Sequence, residues 1–114
     1  MKIAIASDDQ KTISHHFGRA AGFVIVEIKE GKLISRTYKA NSARSEGHGS
    51  CDHQAMIGNI KDCKYVISYG MGQKIYDDLE KSKIIPIVTD EIDVDCALDK
   101  FLKNNLENRT EKLH

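Results

Sequence analysis

The apolar run Ile3-Ala4-Ile5-Ala6 constrains the fold more than any other stretch of the chain, because no polar residue interrupts it and Ser7-Asp8-Asp9 ends it at once. A short run without alternation is a strand covered on both faces. Its covers must come from later segments. Two runs rich in β-branched and aromatic residues, 23–28 and 33–38, flank Glu30-Gly31, whose glycine suits positive φ, and predict an antiparallel hairpin. The spacing then predicts a helix over 50–61, capped by Ser50 and facing inward through Met56, Ile57 and Ile60. A strand follows over 65–68, then a helix over 73–80 with Ile75 and Leu79 on its inner side. The last strand, 84–88, contains Pro86, which cannot donate to a ladder and so belongs at a sheet edge. Asp90, Glu91 and Asp93 supply cap and charge to a third helix, whose stripe is Val94, Leu98, Phe101 and Leu102.

This order implies an α/β architecture: a three-layer sandwich with a mixed five-stranded sheet, helices on its faces and right-handed crossovers. The 114 residues suffice for one domain over 1–103, followed by a polar tail over 104–114. Seventeen basic and seventeen acidic residues cancel, which leaves no cationic field for a phosphate backbone and argues against non-specific nucleic-acid binding. The apolar run after Met1-Lys2 is too short for a signal-peptide core, and no segment reaches a membrane span, so a cytoplasmic location is expected. Three cysteines without C-x-x-C spacing fit neither a disulfide framework nor a thioredoxin-type pair. Cys63 and Cys96 are expected to be buried thiols, whereas Cys51 stands among polar, ligand-type neighbours.

In such sheets ligands bind beyond the carboxyl ends of the parallel strands. The loop over 7–20 and the turn Tyr69-Gly70-Met71-Gly72 both leave strands at that end, and the start of the first predicted helix points the same way. The first loop carries His15, His16, Phe17, Gly18 and Arg19. Residues 46–53 add His48 and Gly49, at the end of a loop over Asn41 to Gly49 expected to be mobile, and Cys51 and His53, at the start of the predicted helix. Imidazole and thiolate suit iron, copper, zinc or sulfide clusters better than magnesium or calcium, and a guanidinium fork suits an oxo or sulfido edge. His16, His48, Cys51 and His53 are therefore the candidate metal ligands, and His15 is the weakest candidate. Each taken alone is also an ordinary surface-loop residue. His114 is read as solvated, and Asp8 and Asp9 as solvating a strand end rather than catalysing. Glycines at 70 and 72 allow close approach to backbone N–H groups, or simply let the chain turn.

Strand 3–6, the string Ser14-x-His16-Phe17-Gly18-Arg19-Ala20, His48-Gly49-x-Cys51 and Tyr69-Gly70-Met71-Gly72 together resemble the dinitrogenase iron–molybdenum cofactor biosynthesis family, which includes NifX-like proteins and the carboxy-terminal domain of NifB. The resemblance spans roughly residues 1–102. It implies a ribonuclease H-like fold that binds or carries a metal–sulfur cluster or its precursor, with His16, Phe17, Gly18 and Arg19 in one loop, His48, Gly49, Cys51 and His53 in a second, and Gly70, Met71 and Gly72 in a third. No C-x-x-x-C-x-x-C string is present, so the radical-SAM machinery of full-length NifB is absent. Iron–sulfur, iron–molybdenum and molybdenum–copper cargoes all fit these ligands. A non-enzymatic carrier that meets cluster-donor or cluster-acceptor proteins is the first reading. A partner-binding assembly module without a cluster is the second. Two-metal phosphoryl transfer is disfavoured, because carboxylates are too few around the site.

Overall fold

A computed structural model describes residues 1–15, 17, 20–41, 57–58, 60–106 and 108. Its elements are β1 (Lys2–Ser7), β2 (Gly22–Lys29), β3 (Lys32–Ala40), β4 (Tyr65–Ser68), α1 (Gln73–Lys81), β5 (Ile85–Val88) and α2 (Val94–Leu102). The strands form one five-stranded sheet in the order β3-β2-β1-β4-β5. β2 runs antiparallel to both its neighbours, while β1, β4 and β5 are mutually parallel, so the sheet is mixed as expected.

β1 lies at the centre, and residues 3–6 are fully buried. Side-chain alternation divides them between two covers. Ala4 and Ala6 face a core with Val66, Val88, Phe17, Phe23, Ile57, Ile60 and the α1 residues Ile75 and Leu79. Ile3 and Ile5 face the opposite core with Val24, Val26, Ile67, Ile87 and the α2 residues Val94, Ala97 and Leu98. The layers are thus helix, sheet, helix. Alanines on one face make room for the paired rings of Phe17 and Phe23, whose centroids lie 5.4 Å apart.

β5 is an edge strand, which accommodates Pro86. Its outward groups are covered by one side chain: the Asn108 amide accepts from Val88 N at 3.0 Å and donates to the Pro86 carbonyl at 3.2 Å. This bidentate contact mimics a neighbouring strand and blunts the edge. Asn108 therefore gives part of the predicted polar tail a definite packing role.

Several local expectations need correction. Asp93 stands at the amino end of α2, yet its side chain makes no cap; the Lys11 carbonyl instead accepts from Val94 N at 2.9 Å. Cys63 is buried as expected, but Cys96 is exposed, because it falls off the Val94-Ala97-Leu98 stripe that faces the sheet. Its sulfur lies 3.8 Å from Asp93 Oδ2. Asn41 is buried and held in place, its N–H donating to the Ala21 carbonyl at 2.9 Å and its Nδ2 to the Ala20 carbonyl at 3.1 Å. The rest of the stretch read as mobile, 42–49, lies outside the described residues, as does most of the first predicted helix. Ile57 and Gly58 are helical, and Ile57 and Ile60 are buried in the positions expected of them.

The hairpin turn is tighter than glycine alone would indicate. Both Glu30, at φ 54°, and Gly31, at φ 77°, are left-handed, as a two-residue type I′ connection demands. A non-glycine residue there carries a steric cost of about 1–2 kcal/mol, which asparagine relieves in part. Glu30→Asn should accordingly raise stability by about 0.5–1 kcal/mol in denaturant titration; an unchanged or lower midpoint would contradict this turn geometry.

Candidate functional site

The parallel pairing of β1 and β4 sets Ile5 beside Ile67, so both strands end on the same side of the sheet. The loop that leaves β1 is fixed before it reaches the predicted ligands. Buried Ser7 donates its hydroxyl proton to the Thr12 carbonyl at 2.6 Å and accepts from Gln10 N at 2.8 Å. Asp9 accepts from Lys11 N at 2.9 Å and Thr12 N at 2.8 Å. These N–H bonds, Thr12 first and Lys11 next, hold its carboxyl down at about 2. Asp8 accepts from Ala21 N at 2.7 Å, tying the loop's far end to its start. Both carboxylates therefore brace the loop by accepting from its backbone N–H groups, rather than merely solvating the strand end as expected.

Neighbouring elements hold the same loop. Ile13 N donates to the Ile92 carbonyl at 2.7 Å, and Thr12 bridges Asp93. On the opposite side, the Tyr38 hydroxyl donates to the Ser7 carbonyl at 3.0 Å. Tyr38 can cross there only because position 22 lacks a side chain: a Cβ on Gly22 would lie 2.6 Å from both the Tyr38 ring and the Lys39 carbonyl.

The turn after β4 meets this loop directly. Tyr69 N donates to the Ser14 carbonyl and Phe17 N to the Gly70 carbonyl, each at 3.4 Å. Ser68 Oγ also donates to the Gly70 carbonyl, at 2.8 Å. His15 lies against Tyr69 with ring centroids 4.4 Å apart and planes inclined by 18°. Two of the three predicted segments are thus in contact.

The predicted residues have different fates. The side chains of Phe17 and Met71 are buried in the core on the α1 side, so their exposed chemistry is confined to the backbone. Gly70 is buried, and Gly72 precedes α1 with an extended backbone at φ −74°. Neither adopts positive φ, so the turn does not need glycine for its dihedral angles. His16, Gly18, Arg19, His48, Gly49, Cys51 and His53 lie outside the described residues. Among the described residues no group of three or more His, Cys, Asp or Glu side chains could hold a metal ion.

The two described thiols are both held toward the neutral form. Burial, with the Asp62 carboxylate second, pushes Cys63 up to about 11. Local desolvation and the carboxylates of Asp93 and Glu91 also raise Cys96. Thiolate is the metal-binding form, so neither environment favours ligation.

Against known proteins, the family model described as "Dinitrogenase iron-molybdenum cofactor" matches residues 1–104. The chain belongs to the dinitrogenase iron–molybdenum cofactor family. Within the span of this family member, the uncharacterized protein MJ0580 of Methanocaldococcus jannaschii is 30% identical over 107 residues, covering 94% of this chain and 90% of the relative. The crystal structure of PH0822 superposes with a TM-score of 0.77 at 24% identity, covering 95% of this chain and 94% of that one. The apo orange protein of Desulfovibrio gigas gives a TM-score of 0.77 at 21% identity, covering 95% and 92%. At these identities the two structures establish a shared fold. Among the described residues of this family member, no helix is long and apolar enough to cross a membrane.

The bracing of the first loop has a pH signature. Because Asp9 is depressed from 3.8 to about 2, it stabilises the fold above pH 3.8, and that contribution disappears as pH falls through about 2. Asp9→Asn keeps an acceptor oxygen but removes the titration. The parent should lose stability across this acid window more steeply than the variant in pH-resolved thermal melts; parallel curves would contradict the assignment.

Proposed function

We propose that this protein binds and carries an anionic metal–sulfur cluster for metallocofactor assembly, without catalysing a reaction on it. The cargo class is an iron–molybdenum cofactor or precursor, or a related iron–sulfur or molybdenum–copper cluster. One observation carries the reading: the β1 loop and the β4 turn are hydrogen-bonded to each other at the carboxyl ends of adjacent parallel strands. That is where open α/β sheets bind ligands. Phe17, one of the two described residues of the His-Phe-Gly-Arg-Ala string, is held there through its N–H bond to the Gly70 carbonyl.

In this reading His16, His48, Cys51 and His53 donate to the metals, and Arg19 forks onto a sulfido or oxo edge. Gly72, half-buried and not required by its dihedrals, is the turn position a cluster would approach, with buried Gly70 behind it. The family and the strand order 3-2-1-4-5 with β2 reversed support assigning the sheet to the ribonuclease H-like class. Two-metal phosphoryl chemistry is further disfavoured, because Asp8 and Asp9 already serve backbone N–H groups. The setting proposed is cytoplasmic, and the exchanging proteins are cluster donors or acceptors.

Anaerobic purification followed by elemental analysis and visible absorption, before and after adding iron–sulfur or thiomolybdate clusters, tests this reading. Stoichiometric uptake is expected, weakened at least about tenfold by Cys51→Ser and by His16→Ala. Absence of uptake, or uptake indifferent to both substitutions, would overturn it.

A further inference from the structure

The two edges of the sheet are finished differently. On β5 the Asn108 amide already occupies Val88 N and the Pro86 carbonyl. β3, at the other end of the strand order, pairs among the described residues with β2 alone. In an antiparallel ladder every second residue turns its N–H and C=O away from the neighbouring strand, so this edge of nine residues offers a row of such groups. Its residues are all exposed except half-buried Tyr38.

The side chains along the edge select the strand that fits it. β3 carries Lys32, Arg36 and Lys39 and no carboxylate, in a chain whose seventeen basic and seventeen acidic residues balance. A register shift leaves Ile34 without a partner on β2, so the regular stretch is Ser35–Ala40. Within it Arg36, which reaches Asp95 of α2, and Lys39, an odd number of residues away, project to opposite faces. A strand laid alongside meets a cation on each face. A second copy of β3 fits poorly, because the antiparallel register that pairs its full length sets Arg36 opposite Arg36, and like charges directly opposite are destabilising. An acidic strand turns both encounters into attractions.

The edge also touches the loop that leaves β1. Arg36 Nη2 donates to the Gln10 carbonyl at 2.9 Å, and the Tyr38 hydroxyl donates to the Ser7 carbonyl at 3.0 Å. A strand docked on β3 is therefore held beside that loop.

We propose that the β3 edge over Ser35–Ala40 is a docking surface for an extended acidic segment of a partner protein, which adds a sixth strand to the five of the sheet. Main-chain hydrogen bonds supply affinity, and Arg36 and Lys39 select carboxylates. The exposed Arg36–Asp95 pair is worth little by itself, so the guanidinium can share an incoming carboxylate. This inference needs no cluster and stands apart from the carrier reading.

The probe is a short blocked peptide in which pairs of glutamates alternate with pairs of valines, placing carboxylates on both faces of the extended chain. It is titrated into the 15N-labelled full chain at low and high salt, with the lysine–valine counterpart beside it. The amides of Ser35–Ala40 should shift with the glutamate peptide, some of them should gain protection from hydrogen exchange, and binding should weaken as salt rises. The lysine peptide should leave them unmoved. Lys39→Glu, which keeps Arg36 and its loop contact, should bind the glutamate peptide about tenfold more weakly with a nearly unchanged melting temperature. Unmoved amides at 35–40 under a large excess of the glutamate peptide, or equal shifts with both peptides, would overturn the proposal in the parent alone. Concentration-dependent shifts at 35–40 without peptide, with sedimentation as a dimer, would overturn it in favour of a second copy. Cluster uptake is measured separately, so failure here leaves the carrier reading intact.

Discussion

Pairing β1 in parallel with β4 brings to one end of the sheet two loops that are far apart in sequence, and almost every feature of the candidate site follows from that proximity. The pairing is possible because residues 3–6 are buried on both faces, with alanines admitting aromatic rings on one side and isoleucines meeting α2 on the other. Once the strands are adjacent, Ser14, Phe17, Tyr69 and Gly70 exchange backbone hydrogen bonds. Losing the register would separate these groups altogether.

The proposed function asks the first loop to be held more firmly than a typical surface connection. Its described residues are held by many small contacts. Asp8 and Asp9 satisfy backbone N–H groups at the two ends of the loop, and the segment before α2 pairs with its middle. Arg36 of β3 reaches the Gln10 carbonyl at 2.9 Å while also pairing with Asp95 of α2. The exposed pairs contribute little stability individually. Their effect is positional, since they connect β3, the first loop and α2.

Much of the fold was legible because periodicity and residue type report burial. The five strands, the Glu30-Gly31 hairpin, the inward pairs Ile75/Leu79 and Val94/Leu98 and the edge position of Pro86 all followed from local pattern. What was not legible depends on backbone groups that any residue supplies. The Lys11 carbonyl at the start of α2, the Ser14 carbonyl beneath Tyr69 and the Asn108 amide on β5 have no signature in composition. Exposure of Cys96 was hidden for a related reason: its neighbours Ala97 and Leu98 face the sheet, and a single-residue step decides between core and solvent. At the site, the convergence of the first loop and the glycine turn was readable from topology. The stack of His15 on Tyr69 was not, because it requires the register of two strands and the path of a loop together.

The central claim is that cargo binds where the β1 loop meets the β4 turn. Its most direct test is a two-dimensional 1H–15N spectrum of the full chain during anaerobic titration with a copper–thiomolybdate cluster. The account predicts the largest changes at the backbone amides of Phe17, Tyr69, Gly70, Met71 and Gly72, with the hairpin amides of Glu30 and Gly31 unmoved. Changes centred on any other part of the sheet, or unmoved amides at 69–72 when the cluster is saturating, would contradict it.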